Sequence, residues 1–303
     1  MAPTASAFST LTTRIDEIAQ ELGEGGLAVS LFDYEAGVQW SQRGDRWFHS
    51  ASTIKVAVLL ALFGAIDSGR FSLDSRLHVR NRFLSLVDRT PFRVAAGRDA
   101  DKEVHAAIGR TMRIGDLARH MIVTSSNLAT NLLVDLIQVD QAQEMLSRHG
   151  IRGVELARGV EDDKAFDANF NNRVTANGLV ALFRVIYERR GVLPESAREM
   201  LDILFQQEFR SGIPAGLPSA VRSEARIANK TGEISVAAHD AGLVFLADRK
   251  PYVLAVLTEP EPNTDRRMER IARVSTAIYV CLTSPPGPPS TDEPVISADR
   301  RRH

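Results

Sequence analysis

The spacing of apolar positions divides the chain into helical and extended segments. Where apolar residues recur every three or four positions, the pattern predicts helices with one buried face. These segments are residues 11–22, 114–124, 128–137, 141–149, 176–187, 196–205 and 264–281. Short apolar runs bounded by turn residues instead predict strands. These runs are residues 27–32, 38–40, 226–231, 241–247 and 252–258.

The order of these segments predicts the architecture. Strands lie near both ends of the chain and helices lie mostly between them. We therefore predict an α/β (α+β) fold with two lobes, in which strands from both chain ends join in one antiparallel sheet flanked by helices. Within a domain spanning residues 11–283, the α/β lobe would comprise residues 11–55 and 190–283. The mostly helical lobe would comprise residues 56–189.

Three segments show no clear period. Residues 75–111 are irregular and highly charged, and they predict an excursion of loops and short helices. Residues 154–175 are rich in charge and asparagine and predict a long loop, which in a compact domain is usually functional or mobile. Residues 284–303 contain Pro-Pro-Gly-Pro-Pro and end in Arg-Arg-Arg-His, a composition that predicts a disordered tail.

One predicted helix carries candidate chemistry at its start. Residues 56–65 are almost entirely apolar, which predicts a buried helix. Ser52 and Lys55 precede this run and would share one helix face, with the serine near the positive end of the helix dipole. A serine becomes an effective nucleophile when a neighbour takes its proton, and a lysine can do so only when it is neutral. A capping serine beside a solvated lysine is the alternative, although the chain has only five lysines.

Two further polar groups follow in the chain. Ser125 and Asn127 lie at the junction of two apolar helices, and Lys-Thr-Gly at residues 230–232 ends a predicted strand. Ser-x-x-Lys, Ser-x-Asn and Lys-Thr-Gly in this order form the signature of penicillin-recognising serine enzymes. Residues 121–133, Met-Ile-Val-Thr-Ser-Ser-Asn-Leu-Ala-Thr-Asn-Leu-Leu, are the most specific local match. From about residue 11 to 281 the chain resembles the class A β-lactamase and related serine hydrolase family.

The resemblance implies that the chain opens β-lactam rings through an acyl-enzyme. Ser52 would attack the lactam carbonyl, with Lys55 as the acceptor or relay of its proton. Ser125 would pass a proton to the departing ring nitrogen and would lie near Lys55 and Lys230. A second ammonium so close would favour the neutral form of Lys55.

The resemblance also implies how a substrate is held. Asn127 would hydrogen-bond the side-chain amide of the substrate, and Lys230 with Thr231 would bind its carboxylate. Gly232 would let the substrate lie close along the strand edge. The backbone N–H groups of Ser52 and Glu233 would form the oxyanion hole.

Two positions depart from the family pattern. Ser126 occupies the place where the family usually has an aspartate. The deacylating glutamate of true class A enzymes lies in a long loop, with leucine and asparagine three and four residues later. Counted from Glu161, those two places hold Lys164 and Ala165. Glu161 is the best candidate base, and the alternatives are one of the two aspartates that follow it or no base at all.

These departures keep other functions open. Without a base that activates water, the acyl-enzyme would persist, as in a slow-releasing penicillin-binding protein. An acyltransferase or esterase acting on another amide or ester is a second alternative. A non-catalytic binding domain that keeps the fold is a third.

The amino-acid composition indicates which classes of binding partner to expect. The apolar fraction of 44% and the charged fraction of 25% are ordinary for a globular protein, and a net charge of −1 gives no general reason to bind nucleic acid or an anionic membrane. We therefore expect a small-molecule substrate and a monomer. Residues 1–13 lack the pattern of a secretory signal, so a cytoplasmic location is expected.

Neither a cofactor nor a metal site is expected. The seven histidines are scattered, and no spacing typical of zinc ligands occurs. His239 follows the Lys-Thr-Gly motif closely and would either contact the substrate or serve the structure. Cys281, the single cysteine, cannot form an internal disulfide and is not expected to be a catalytic thiol.

Overall fold

A computed structural model describes residues 4–21, 26–259 and 267–284 of the chain. The helices are α1 Ala5–Glu21, α2 Lys55–Asp67, α3 Glu103–Ala106, α4 Ile114–Val123, α5 Asn127–Ile137, α6 Val139–Arg148, α7 Asp163–Asp167, α8 Ala176–Tyr187, α9 Pro194–Phe205, α10 Ser219–Arg222 and α11 Arg267–Thr283. The strands are β1 Leu27–Asp33, β2 Val38–Gln42, β3 Phe48–His49, β4 Arg76–His78, β5 Phe83–Leu84, β6 Pro91–Phe92, β7 Thr111–Arg113, β8 Val154–Glu155, β9 Arg173–Val174, β10 Arg226–Ile234, β11 Ala237–Phe245 and β12 Tyr252–Thr258.

Strands from both ends of the chain form one antiparallel sheet. Its order is β10-β11-β12-β1-β2, so the first long strand pairs directly with the last. The register places Leu27 opposite Thr258 and Asp33 opposite Tyr252. Every residue of β12 is buried, which shows that both faces of the sheet centre are covered. The predicted sheet is therefore confirmed.

Each face of the sheet packs against its own helices. On one face, α1 and α11 enclose an apolar cluster that includes Ile15, Val256 and Ile278. On the other face, the helical block encloses a larger cluster that includes Leu59 and Leu243. Two separate cores thus hold the sheet in a three-layer arrangement.

Helix α2 lies at the centre of the larger core. Its residues from Lys55 to Phe63 are all buried, which confirms the burial predicted from its apolar sequence. It begins differently from the prediction, because residues Ala51–Ile54 form a 3-10 turn before the α-helix starts. Ser52 therefore lies in this tighter turn, three residues before the α-helix starts.

The two irregular segments contain short paired strands. In the excursion at residues 75–111, β4 pairs with β7 and β5 pairs with β6. In the loop at residues 154–175, β8 and β9 pair at Val154 and Val174, so the two ends of the loop are joined. Strands of two or three residues are too short to show an alternating pattern, and the sequence therefore did not predict them.

Some predictions extend beyond the described ranges. The predicted tail at residues 284–303 lies outside them except for Ser284, and so do the first three residues of the predicted last helix. Helix α1 begins at Ala5, six residues before the predicted start. No helix in the described ranges combines the length and the apolar character needed to cross a membrane.

Candidate active site

Ser52 lies where the 3-10 turn approaches the outer edge of strand β10. A β-carbon added at Gly232 would lie 2.8 Å from the backbone nitrogen of Ser52, closer than side-chain carbons pack. Glycine is therefore required for β10 to come this near to the turn. Ala51, just before the serine, has φ of 44°, a left-handed conformation that costs energy for a residue with a side chain.

Two lysine amines meet at one serine hydroxyl. Lys55 Nζ lies 3.1 Å from Ser125 Oγ, and Lys230 Nζ lies 3.0 Å from the same oxygen. Lys55 Nζ also contacts the carbonyl oxygen of Ser125 at 2.7 Å and Asn127 Oδ1 at 2.8 Å. Within the described ranges, no hydrogen bond joins this amine to Ser52. The structure thus brings α2, the α4–α5 junction and β10 together at Ser125.

Both amines are completely buried, and burial controls their protonation. Burial lowers the pKa of Lys55 to about 7, against the opposing effect of the Asp99 and Glu161 carboxylates. Burial also lowers the pKa of Lys230 well below its ordinary value, and the charge of Lys55 lowers that pKa further. We expected repulsion from Lys230 to neutralise Lys55. The cause of the lowered Lys55 pKa is instead the loss of hydration in the core.

Asn127 connects the amine cluster to a carboxylate. Its Oδ1 accepts from Lys55, and its Nδ2 donates to Glu161 Oε1 at 3.0 Å. Asn127 Nδ2 also lies 3.1 Å from the carbonyl oxygen of Arg98. One amide therefore spans the gap between the candidate proton acceptor of α2 and the candidate base of the loop.

Burial and the charge of Arg98 act on the pKa of Glu161 in opposite directions. Its Oε2 lies 2.7 Å from Arg98 Nε, an ion pair without good hydrogen-bond geometry. Burial raises the pKa of Glu161, while the nearby Arg98 charge lowers it, and the first effect is larger. Glu161 also adopts φ of 62°. Asn131 fixes the residue before it, because its side chain accepts from Val160 N at 2.7 Å and donates to Val160 O at 2.9 Å.

The two aspartates after Glu161 have different surroundings. Asp162 is buried and caps α7, and it accepts hydrogen bonds from Ser85 Oγ and Leu86 N of the excursion. Asp163 is two-thirds exposed and pairs with Arg98 at 2.9 Å. Of the three acids, Glu161 is the one bonded to Asn127.

A cleft of about 470 Å³ opens beside Ser52. Its walls come from the serine turn, the end of β10, the excursion, the start of α5 and the long loop. Residues that represent these five walls are Ser52, Ile234, Arg98, Asn127, Glu161 and Phe166. The predicted nucleophile and the best candidate base therefore line the same cavity. Thr231 is nearly buried, whereas the side chain of Glu233 is half exposed.

His239 lies beneath the site, and the substrate-contact alternative is wrong in this geometry. The residue is fully buried, its Nε2 lies 2.7 Å from His49 O, and its Nδ1 accepts from Thr258 N. Burial lowers the pKa of His239 to about 4, so the ring is neutral at physiological pH. Its role is structural, since it ties β11 to the strand that leads into the Ser52 turn.

Sequence reasoning missed three charged residues around the site. Asp240 is fully buried on β11, accepts from Asn229 Nδ2 at 2.9 Å, and partly offsets the lowered pKa of Lys230. An acid within an apolar strand was the signal that could have revealed it. Arg98 and Asp99 come from the excursion, where no periodic pattern marked them.

In the described part of the chain, no group of three or more His, Cys, Asp or Glu side chains is arranged to hold a metal.

Comparison with known proteins identifies the family. Residues 10–282 match the model of the beta-lactamase enzyme family. The chain belongs to this family. A β-lactamase of Bacteroides uniformis is 25% identical over 295 residues, which cover 91% of this chain and 92% of that protein. A β-lactamase of Rhodobacter capsulatus is 31% identical over 128 residues, or 42% of this chain and 38% of that protein.

Solved structures share the fold of this β-lactamase family member. PBP-A is 27% identical with a TM-score of 0.74, over 89% of this chain and 95% of that chain. A point mutant of PBP-A, solved as an acyl-enzyme complex with penicillin G, has a TM-score of 0.75 and 26% identity over the same shares. An ancestral class A β-lactamase has a TM-score of 0.76 at 23% identity, over 89% and 98% of the two chains. The fold is therefore that of class A β-lactamases.

Proposed function

We propose that this chain is a serine hydrolase that opens the amide bond of β-lactam rings through an acyl-enzyme on Ser52. The observation that carries the proposal is the side chain of Asn127, which contacts both Lys55 Nζ and Glu161. This contact supports one continuous network that can serve both attack and release. The family match alone supports a hydrolase of the β-lactamase family.

In the proposed acylation step, Ser52 Oγ attacks the lactam carbonyl and its proton passes to neutral Lys55. Two contacts of Lys55 Nζ are with oxygens that only accept, and the third is with the Ser125 hydroxyl, which can donate. A neutral amine, with two N–H donors and one lone pair, can satisfy all three contacts. Catalytic hydrogen bonds often form or tighten only when substrate is bound, so the lack of a Ser52–Lys55 hydrogen bond in the described ranges does not oppose this step.

The remaining groups complete the bond changes. The N–H groups of Ser52 and Glu233 would stabilise the oxyanion. As the C–N bond breaks, the proton moves from Lys55 through Ser125 to the ring nitrogen, and the acyl group stays on Ser52. Lys230 and Thr231 would hold the substrate carboxylate, Gly232 would leave room along β10, and Asn127 would bind the side-chain amide.

Release would depend on Glu161. This carboxylate would take a proton from water, and the water oxygen would attack the Ser52 ester. As the ester bond breaks, the proton held by Glu161 would pass to the Ser52 oxygen, which restores both groups. The raised pKa of Glu161, caused by burial, makes its carboxylate a better base than that of an exposed glutamate.

One observation favours slower release as a second candidate function. Arg98 pairs with Glu161 and so competes with water for the carboxylate. A penicillin-binding protein that keeps its acyl group would result if the pair persists after acylation. The fold shared with PBP-A, including its mutant solved with penicillin G, is consistent with this outcome.

The test is incubation with a chromogenic cephalosporin, followed by colour and by intact mass. We expect a covalent adduct and turnover in the natural chain, and neither in Ser52→Ala. Turnover should fall at least about 10³-fold, because removing a nucleophile abolishes the covalent route. Ser72→Ala, at an exposed serine beyond the other end of α2, should behave like the natural chain.

The outcomes separate the candidate functions. Absence of both adduct and turnover would falsify the lactam proposal. A stable adduct with negligible turnover supports the slow-releasing candidate instead. Fast release of simple esters together with a stable lactam adduct supports an esterase or acyltransferase. A serine-directed phosphonate that leaves Ser52 unmodified supports a non-catalytic domain.

A further inference from the structure

The turn that carries Ser125 ends at the N-terminus of α5, where backbone N–H groups need partners. The first N–H groups of a helix have no partner within the helix. The Ser126 hydroxyl accepts from Ala129 N at 3.1 Å and so satisfies one of them. The amides of Asn127 and Leu128 require another acceptor. Position 126 holds a serine rather than an aspartate, and its hydroxyl already bonds to Ala129 N.

Asp99 supplies that acceptor from the excursion. Its Oδ1 lies 3.1 Å from Asn127 N, and its Oδ2 lies 2.9 Å from Leu128 N. The same carboxylate lies 3.3 Å from Ser126 Oγ and 3.1 Å from His105 Nε2. It also accepts from Asp101 N at 3.1 Å, and because its side chain has no exposed surface, these five contacts replace its hydration. A carboxylate at this place is also stabilised by the positive end of the α5 dipole.

The turn needs support from outside because its own backbone is unfavourable. Ser125 has φ of 62°, a left-handed conformation that residues other than glycine rarely adopt. This conformation directs the Ser125 hydroxyl to both lysine amines and its carbonyl to Lys55. On the preceding side, Thr124 Oγ1 and His120 Nδ1 bond to Asp101, also from the excursion. Two excursion aspartates thus hold the turn from both sides.

We propose that Asp99 is a positioning residue for acylation, which takes over the place of the aspartate that position 126 lacks. It fixes the N-terminus of α5, and thereby the Ser125 hydroxyl and the Asn127 amide, relative to Lys55 and Lys230. The inference rests on the proposed function for its kinetic consequence. Its structural content, that Asp99 orders the amides of Asn127 and Leu128, stands independently of any substrate.

Exchange of the acid between the two positions tests the inference. We compare the natural chain with Asp99→Ser, with Ser126→Asp, and with the double variant that carries both. Hydrogen exchange of the Asn127 and Leu128 amides reports positioning, and the rate of adduct formation with penicillin reports acylation. In Asp99→Ser we expect both amides to exchange at least about tenfold faster, since they lose their acceptor. Acylation should slow about tenfold to a hundredfold, because a small misplacement of reacting groups is costly.

The double variant should recover much of the loss, because an aspartate at position 126 is a good helix cap for α5. Ser126→Asp alone should be impaired, since it adds a second carboxylate beside Asp99. The matched control is Asp33→Ser, which removes another buried carboxylate that bonds to Arg249 and to the amides of Glu35 and Ala36. This control should lower the unfolding temperature and leave the rate of acylation unchanged.

Failure of the inference is distinguishable from failure of the proposed function. If Asp99→Ser leaves both amide exchange and acylation unchanged, Asp99 has no positioning role. If Asp33→Ser slows acylation as much as Asp99→Ser, the effect is general destabilisation and the inference is overturned. If the natural chain forms no adduct but Asp99→Ser still speeds exchange of the two amides, the proposed function fails and the positioning of the turn holds.

Discussion

The two sides of the candidate site are built from different kinds of structure. The amine side consists of Lys55, Ser125 and Lys230, which come from α2, the junction of α4 with α5, and the edge strand β10. The carboxylate side consists of Glu161 and Arg98, which come from the long loop and the excursion. The lysines are fully buried, whereas the side chain of Arg98 is 54% exposed.

In the proposed mechanism, the two chemical steps would use parts of the molecule that differ in burial. Attack on the substrate would use groups locked in the core, where burial itself adjusts the pKa of Lys55. Release would use a carboxylate whose position depends on Asn127, Asn131 and an arginine at the surface. Acylation should therefore be disturbed mainly by removing its own groups or the Asp99 contacts that hold the Ser125 turn, and release should respond to small changes in the loops.

The largest effect after loss of Ser52 should come from the amine side. Lys55→Met keeps the apolar stem and removes the base, and acylation should fall about 10³-fold, within the usual range for a general base. In the natural chain, the neutral form of Lys55 increases as pH rises through its pKa of about 7. Acylation should therefore increase with pH around that midpoint, measured by rapid quench and intact mass.

The exposed Lys102 offers a control for this change. Lys102→Met should acylate at the natural rate. Acylation that does not vary between pH 5 and pH 9, each about two units from the midpoint, would show that Lys55 is not the base. So would a Lys55→Met variant that acylates normally.

On the carboxylate side, Glu161→Gln should separate release from attack. The amide keeps an oxygen for Asn127 but cannot accept a proton from water, so release should slow about 10²-fold. Acylation should change by less than about threefold, and the adduct should accumulate in intact-mass spectra. Burial raises the pKa of Glu161, so its basic form is lost earlier as pH falls. Release in the natural chain should therefore decline with falling pH, and this decline should begin at a higher pH than it would with an exposed glutamate.

Asp163→Asn is the matched control for Glu161→Gln, because Asp163 also pairs with Arg98. It should release its acyl group at close to the natural rate. If Glu161→Gln releases as fast as the natural chain, another group activates the water and the assignment of Glu161 is wrong.

The smallest effect should come from Arg98. Its charge lowers the pKa of Glu161, so Arg98→Ala should raise that pKa and move the midpoint of the release profile to higher pH. Below this midpoint, release should slow by roughly threefold, a modest effect because the exposed arginine is screened by water. Arg93→Ala changes another exposed arginine of the excursion and should not move the profile. Faster release in Arg98→Ala would show that the arginine obstructs the base.

The amine side could be anticipated from the sequence, and the carboxylate side could only be anticipated in part. The apolar run after Lys55 predicted burial, and burial proved the main cause of its lowered pKa. Motif order brought Ser125 and Lys230 into consideration, and in the structure Lys230 and Lys55 both contact the Ser125 hydroxyl. The roles assigned to these residues stay predictions.

Residues from the excursion could not be anticipated, because nothing local marks them. Asp99 lies 28 residues before Asn127 in sequence, and its meaning depends on a partner that periodicity does not reveal. Ser126 in place of the family's aspartate was visible in the sequence, but no replacement for that acid was predicted from it. Likewise, the choice among Glu161, Asp162 and Asp163 required the contacts of Asn127 and of the excursion hairpin.

The pairing of β8 with β9 has an evolutionary consequence. It closes residues 155–173 into a loop whose ends are fixed to each other at Val154 and Val174. Such a loop can exchange residues inside its closure while the flanking core keeps its place. If the proposed acyl-enzyme forms, mutation in this loop could alter how long the acyl group survives while the buried lysines keep their surroundings. A lineage of such proteins could move between capturing an antibiotic and destroying it by changes confined to one surface loop.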